Sequence, residues 1–472
     1  MMEPKQRNRI LLVLFAGVLM GALDIAIVGP ALPSIQKYFA ISDRLLTWMF
    51  STYVLFNLIG TPLMSKLSDL FGRRLVYVAD VSLFAAGSLI VFLSQDFGVV
   101  LVGRAIQGFG AGGIFPVASA VIGDTFPPEK RGSALGLIGA VFGVAFIIGP
   151  VIGGVLLIAG WQWLFVVNLP IAAAIIFFSL RILPSNRRIK VTRFDWGGML
   201  TLAVTLAALA LGINQIDTDN FFRSFLSINV WPFFLTFVVF LVAFIRIERA
   251  SSSPVLRLDL FVKRQMVLTY FLAAGAGFGE SSLVFMPNLA VTAFGIKSSQ
   301  AAFLLMPVVL SMAVGSPAVG RLLDRFGSKA VILLGSLILV AGLFTLGVFA
   351  TSMPLFIVAG ALIGLGLSAL LGAPMRYIML NEAAPRDRSV AQGAVALFGS
   401  IGQLTGAALV GAVADSQGGG VTGYMSAFLV TGVLGVILVA LAIGLKNRAS
   451  ELETVRAHEA AVIAENTPRE IA

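Results

Sequence analysis

The feature that most limits what this chain can become is a long succession of apolar runs, each about twenty residues, joined by short polar loops. Coiled as a helix, a run of that length matches the hydrocarbon thickness of a bilayer. The first continues from Ile10 through Asp24 to Leu32. That is too long for the apolar region of a signal peptide and lacks a convincing cleavage site, so it reads as an uncleaved first span. Five more follow at Leu45 to Met64, Leu75 to Leu93, Phe97 to Ile122, Gly132 to Ile158 and Trp163 to Leu180. Two stand apart, at Trp196 to Ile213 and Val230 to Ile247. The last six are Met266 to Leu289, Ser299 to Val319, Ala330 to Phe349, Leu355 to Met379, Ser389 to Val413 and Gly423 to Leu445. The chain is therefore expected to be an all-α polytopic membrane protein with fourteen spans.

Composition removes the rival classes. Only 12% of the residues are charged and 58% are hydrophobic, whereas soluble domains carry about 25% charged residues. A soluble multidomain enzyme is excluded. With no Cys there is no disulfide, thiol nucleophile or cysteine metal site. The single His458 lies in the polar tail, which leaves no histidine metal cluster or histidine proton relay among the spans; neither a metal nor a cofactor is expected. The net charge of +10 is a matter of topology. The loops on one side, with both tails, hold 27 of the 33 Lys and Arg; the opposite loops hold Lys37, Arg44, Arg223 and Lys297, and Arg104 and Arg376 fall within apolar segments. This positive-inside pattern puts both termini in the cytoplasm and explains the basic excess without nucleic acid.

The loop Ser65-Lys66-Leu67-Ser68-Asp69-Leu70-Phe71-Gly72-Arg73-Arg74 returns 255 positions later as Gly320-Arg321-Leu322-Leu323-Asp324-Arg325-Phe326-Gly327-Ser328-Lys329. A repeat at this period divides the chain into related halves. Residues 1–183 form one six-helix half and 265–446 the other; 184–264 are a two-helix insertion with basic linkers (Arg187, Arg188, Lys190, Arg193 in the first), and 447–472 a polar tail, frayed or disordered. Gly72, which recurs as Gly327, suits a tight turn between helices, and Asp69 suits a helix N-terminus, where partial positive charge favours an acid.

Several further stretches carry a resemblance. They are Leu23-Asp24-Ile25-Ala26-Ile27-Val28-Gly29-Pro30-Ala31-Leu32-Pro33 on the first span and Leu101 through Gly113, with Arg104, Gln107, Gly108 and Gly110, on the fourth. Gly149-Pro150-Val151-Ile152-Gly153-Gly154 lies on the fifth, and Trp161-Gln162-Trp163 with Asn168-Leu169-Pro170 opens the sixth. Taken in order, these motifs and the paired loops resemble the major facilitator superfamily, and the fourteen spans resemble its drug/proton antiporter family. The resemblance implies a cytoplasmic latch built from Asp69, Gly72, Arg73, Arg74, Asp324 and Gly327, with Arg73 and Arg74 bridging to acids of the other half. Acids contribute little to membrane orientation, so the latch is the stronger reading of Asp69; for the two arginines, topology charge serves as well. Gly149, Pro150, Gly153 and Gly154 are a gating hinge or simply a close-packing face.

Ionisable residues inside spans are costly and mark function. Asp24 and Arg104 lie at similar depth, roughly 12 and 10 Å from the outer face by helical rise, so they can pair. Glu280 falls one residue from the position to which the repeat carries Asp24. Asp24 is the leading candidate for proton coupling and Glu280 the second, with Arg104 beside them; Asp80 is a latch partner or a proton or substrate residue. Arg376 is expected to snorkel to the cytoplasm. Gln107, Asn57, Asn288 and Gln403 line a cavity or join helices.

These readings converge on a proton-coupled exporter of small lipophilic compounds, worked by alternating access in a bacterial inner membrane. Its partners are lipid, cargo and protons, and a monomer is expected. No phosphate-binding Gly-x-x-x-x-Gly-Lys-Ser/Thr loop occurs, so the proton gradient is the expected energy source. Acids outnumber Arg104, which favours cationic or neutral cargo. A single-cargo transporter of the same fold, such as a lipid exporter or metabolite symporter, is the alternative. A membrane enzyme acting on lipid head groups would want a cluster of His, Asp or Glu at one face, and the sequence offers none.

Overall fold

The computed structural model describes residues 3–28, 31–41, 43–185, 195–216, 223–224, 226–251, 254–256, 258–296, 298–384 and 387–466. The basic linker with Arg187, Arg188, Lys190 and Arg193 lies outside them. The first half consists of α1 (Pro4–Val28), α2 (Asp43–Phe71), α3 (Arg73–Leu93), α4 (Phe97–Thr125), α5 (Pro128–Leu157) and α6 (Trp163–Ile182). The insertion supplies α7 (Trp196–Asn214) and α8 (Trp231–Ala250). The second half consists of α9 (Arg264–Phe294), α10 (Met306–Phe326), α11 (Ser328–Phe349), α12 (Met353–Glu382), α13 (Arg388–Ser416) and α14 (Gly420–Ile443), followed by α15 (Arg448–Asn466). Thirteen of these helices are long and apolar enough to cross a membrane among the described residues. The fourteenth, α2, is 29 residues long and diluted by Ser51, Thr52, Asn57 and Thr61. Helices are the natural result, since in lipid every backbone polar group must be satisfied within the segment.

Neighbouring helices approach closely through glycine, as membrane interfaces favour. A Cβ on Gly108 would lie 2.2 Å from the Tyr53 carbonyl, and one on Gly112 2.7 Å from that of Asn57, which holds α4 against α2. The insertion sits at the seam: α7 packs on α2 and α13, one from each half, and α8 packs on α7. Asn214 on α7 donates to Ser51 on α2.

Two spans are not continuous α-helices. In α9 the helix Arg264–Ser281 passes through a 3-10 turn at Ser282–Phe285 before resuming at Met286. In α12 it stops at Leu371, bends at Gly372 and restarts at Ala373. Pro287 and Pro374 stand at the second position of each restarted segment. Proline has no N–H for the preceding turn and its ring crowds the carbonyl four residues back, so each break has a local cause.

The termini share one face of the bundle. Arg7 lies over the Phe126 ring at the end of α4, and Glu451 of α15 accepts from the Ser328 N–H at the start of α11. The tail, read from sequence as frayed or disordered, instead docks by this bond and by Lys446 paired with Glu382. Val455 on the same helix is buried as well.

Candidate functional site

Three arrangements hold the polar residues picked out by sequence. The first is a buried cluster in the first half. Arg104 Nη1 donates to Asp24 Oδ2 at 2.6 Å, and both side chains are wholly excluded from solvent. Asp24 Oδ1 accepts from Gln107 Nε2 at 3.2 Å and Asn168 Nδ2 at 3.0 Å. Arg104 also donates to Gln107 Oε1 and the Met49 carbonyl, and its guanidinium lies 4.3 Å from the Tyr53 ring centroid. Ser88 closes the network by accepting from Gln107 and Asn168. The pairing expected from depth is present, and it engages both oxygens of Asp24. Gly149 and Gly153 bring α5 against α1 one turn along: their Cβ atoms would lie 2.5 Å from the Ala26 Cβ and 3.3 Å from the Ile27 carbonyl. These two glycines therefore pack closely, while a Cβ on Gly154 would meet open space and the helix runs on through Pro150.

Asp80 is separate from that cluster. It is fully buried on α3 with neither oxygen hydrogen-bonded among the described residues, and it reaches no loop base. It fits against α4 only because position 113 is glycine, where a Cβ would fall 2.1 Å from Asp80 Oδ2.

The second arrangement is a central cavity of about 570 Å³, lined by α1, α2, α4 and α5 of one half and α9, α10, α12 and α13 of the other. Its volume suits one drug-sized molecule. Most of the wall is apolar; the two ionisable groups carrying formal charge are Glu280 and Arg376. Glu280 is half-buried, in the last turn before the α9 break, with no ion-pair or hydrogen-bond partner among the described residues. Asn57 and Gln403 also line the cavity, whereas Gln107 belongs to the Asp24 cluster and Asn288 is exposed elsewhere. Arg376 departs from expectation: only 6% exposed, it does not snorkel. The bend at Gly372 re-aims the end of α12 so that its side chain meets the cavity. The bend was legible as Gly372-Ala373-Pro374, a pattern that the span assignment passed over.

The third arrangement closes the face that carries the termini. Gly72 and Gly327 have φ of 99° and 83°, in the left-handed region that favours glycine. Asp69 accepts from the Ser389 and Val390 N–H groups at 3.2 and 3.0 Å, at the start of α13. Asp324 accepts from the Gly132 and Ser133 N–H groups, both at 2.9 Å, at the start of α5. Asp69 thus caps a helix of the opposite half at its free first-turn N–H groups, and Asp324 binds N–H groups about one turn into another, near its positive end, where a carboxylate is favoured. The arginines behave otherwise than expected. Arg73 pairs with Asp69 and Asp124 of its own half and reaches across to the Ser389 hydroxyl. Arg74 donates to the Leu180 carbonyl, also in its own half. An ion pair that does cross is Arg388 with Asp124, at 2.7 Å. Neither residue was singled out, because nothing local in the sequence sets them apart from other loop charges.

The resemblance carried by these motifs is matched by comparison. The family profile described as Major Facilitator Superfamily covers residues 14–279 and 266–469. An uncharacterized MFS-type transporter of Bacillus subtilis, YfiU, is 31% identical over 406 residues, 85% of this chain and 78% of the relative. Multidrug resistance protein 3 of the same organism is 29% identical, over 86% of this chain and 79% of its own length. Multidrug resistance protein Stp of Mycobacterium tuberculosis is 30% identical, over 84% and 74%. Among solved structures, the human organic anion transporter MFSD10 superposes with a TM-score of 0.70 at 18% identity, covering 93% of this chain and all of that one. The proton:xylose symporter XylE gives 0.67 at 15% identity, over 93% and 95%. These last two speak for the fold alone. Two six-helix halves, crossed loop caps and a cavity between them, with the profile matching both halves, make this chain a member of the Major Facilitator Superfamily of membrane transporters.

Proposed function

We propose that the protein exports small lipophilic compounds in exchange for protons by alternating access. The observation that carries this reading is a drug-sized, largely apolar cavity between the halves, with an unpaired carboxylic acid, Glu280, in its wall. The names of its relatives, two of them multidrug resistance proteins, support the cargo class. The basic loops support a cytoplasmic location for the termini, and the caps of Asp69 and Asp324 then close the cytoplasmic side, leaving the cavity facing outward. Export requires these caps to part so that cargo can enter from within. The two loops part together, because each acid is bound to the other half.

In this reading Glu280 carries the exchanged proton. It faces both cavity and cargo, and the break in α9 beside it lets the segment move, as broken spans do at transporter binding sites. Asp24, the leading coupling residue by sequence, becomes a positioning residue that holds Arg104 and, through it, Tyr53 on the cavity wall. The test uses everted membrane vesicles and a fluorescent lipophilic cargo. Glu280→Gln should abolish pH-gradient-driven transport while leaving energy-independent exchange of cargo. Undiminished gradient-driven transport by Glu280→Gln would remove Glu280 from the coupling role; cargo movement indifferent to any proton gradient would remove proton antiport.

A further inference from the structure

The cavity holds a second charge that proton coupling does not use. Arg376 lies in the first turn of the restarted segment of α12, Ala373–Glu382, and lines the cavity together with Gly372, Met375 and Phe115. It is buried, yet its Nε has no hydrogen-bond partner, and among the described residues no carboxylate pairs with it. Among the described residues its side chain makes one hydrogen bond, Nη1 to Gln392 Oε1, long at 3.4 Å; Gln392 in turn donates to the Arg376 carbonyl. The guanidinium carbon lies 3.6 Å from the Phe115 ring centroid, a stacking that fixes the plane of the fork.

Arg104 shows how this chain treats a buried guanidinium that serves structure. There a carboxylate, an amide, a carbonyl and an aromatic face surround it, with Nη2 unbonded among the described residues. Arg376 has the aromatic face and lacks the carboxylate. It also sits at the positive end of its own helix segment, where a cation is disfavoured and an anion is attracted. A planar fork with free N–H groups at such a place fits a carboxylate with two parallel hydrogen bonds. Glu280 does not supply one. It is sixteen residues from the start of α9, and Arg376 is six from the end of α12, so the two differ in depth by roughly 15 Å.

We propose that Arg376 is the recognition point for a carboxylate on the cargo, so that the transported molecules are lipophilic carboxylates, with their apolar bodies against Phe115 and the upper wall. This rests on the reading of the cavity as the cargo site and deepens it. It also replaces the cationic or neutral cargo expected from counting acids. That count included Asp24, which Arg104 neutralises, and Asp80, which lies outside the cavity. Within the cavity one acid faces one base, and the base is the deeper.

The test is equilibrium binding to the purified full-length protein in lipid nanodiscs, using dansylglycine and its methyl ester. Wild type should bind the acid at least tenfold more tightly than the ester. Arg376→Gln should raise the Kd of the acid to that of the ester, leave the ester's Kd within twofold and thereby report an intact cavity. Arg376→Lys should keep part of the preference. Equal Kd values for acid and ester in wild type, no binding of the acid, or a preference that survives in Arg376→Gln would each overturn the proposal. The wild-type ratio alone decides the matter if Arg376→Gln does not fold. The measurement involves no proton gradient, so the carboxylate preference and proton-driven export can fail separately.

Discussion

The first helix of each half carries one acid at matching depth, and the two acids live in opposite circumstances. Asp24 is enclosed by Arg104, Gln107 and Asn168, with Ser88 behind them. Applying the 255-residue offset to those partners gives Ala359, Leu362, Gly423 and Leu343 in the second half, none able to bond a carboxylate through its side chain. Glu280 is therefore left to the cavity. The reverse holds for Arg376, whose counterpart in the first half is Val121. The first half pairs Asp24 with Arg104 internally, and the second presents Glu280 and Arg376 to the cavity. Pseudo-symmetry in the fold thus coexists with a division of labour: a half built around a buried ion pair, and a half with two broken helices and cavity-lining charge.

The comparison breaks most readily at Asp24. Removing one partner of a buried ion pair leaves the other uncompensated, at about 3–5 kcal/mol. Asp24→Ala should therefore cost that much stability, while Glu280→Ala, which strands no partner, should cost less than about 1 kcal/mol. Thermal unfolding of the purified protein measures both, and adding Arg104→Met to Asp24→Ala should recover part of the loss. Equal losses at the two acids would erase the distinction between the halves.

A second test concerns packing around Asp80. Gly113→Ala forces a Cβ into the Asp80 carboxyl, for about 1–3 kcal/mol of overpacking. Asp80→Ala in the same chain should relieve it, because the offending atoms are gone. If Gly113→Ala is harmless, the close fit of α3 on α4 is looser than its geometry implies.

The two loop acids sharpen the comparison further. Asp69 also holds Arg73, and its side chain is more deeply buried than the Asp324 capping site. Asp69→Asn should weaken closure by about 1–2 kcal/mol and Asp324→Asn by about half that. The chain has no Cys, so spin labels on cysteines placed at Lys130 and Arg325 report the separation of the loops without background. Each variant should broaden that distance distribution, Asp69→Asn more; an unchanged distribution in both would remove the latch.

The smallest effect is expected at α15, which braces the loop of the second half. Burial pushes the Glu451 carboxyl up from its usual 4.5 to about 7, outweighing its bond from the Ser328 N–H and the nearby Arg448. The docked helix therefore holds a proton that the undocked one releases. With the docked value above the free one, the sign is the reverse of the usual acid: docking is strongest below pH 4.5 and weakens as the pH rises toward 7. Proteolysis of the tail should speed up between pH 5 and pH 8, and Glu451→Gln should flatten that dependence. Cleavage that slows as the pH rises would contradict the docking.

Much of this molecule was legible in its sequence. Hydrophobic length decides the spans because a bilayer punishes an unpaired backbone, and repeated Asp69 and Asp324 announced the two halves, since glycine turns and helix-capping acids are local signals. The pairing of Asp24 with Arg104 followed from depth alone, as helical rise is nearly constant. Rotation about a helix axis was not legible in the same way. Depth could not tell that Asp24 is enclosed while Glu280 faces open space, because that depends on what four other helices present at the same level. Neither could it tell that Arg376 turns inward, which needed the bend at Gly372 and the place of Phe115 on a helix of the other half. Sequence determined how far along the membrane each charge stands; tertiary packing decided what each charge faces, since partners are brought together from positions 80 to 321 residues apart.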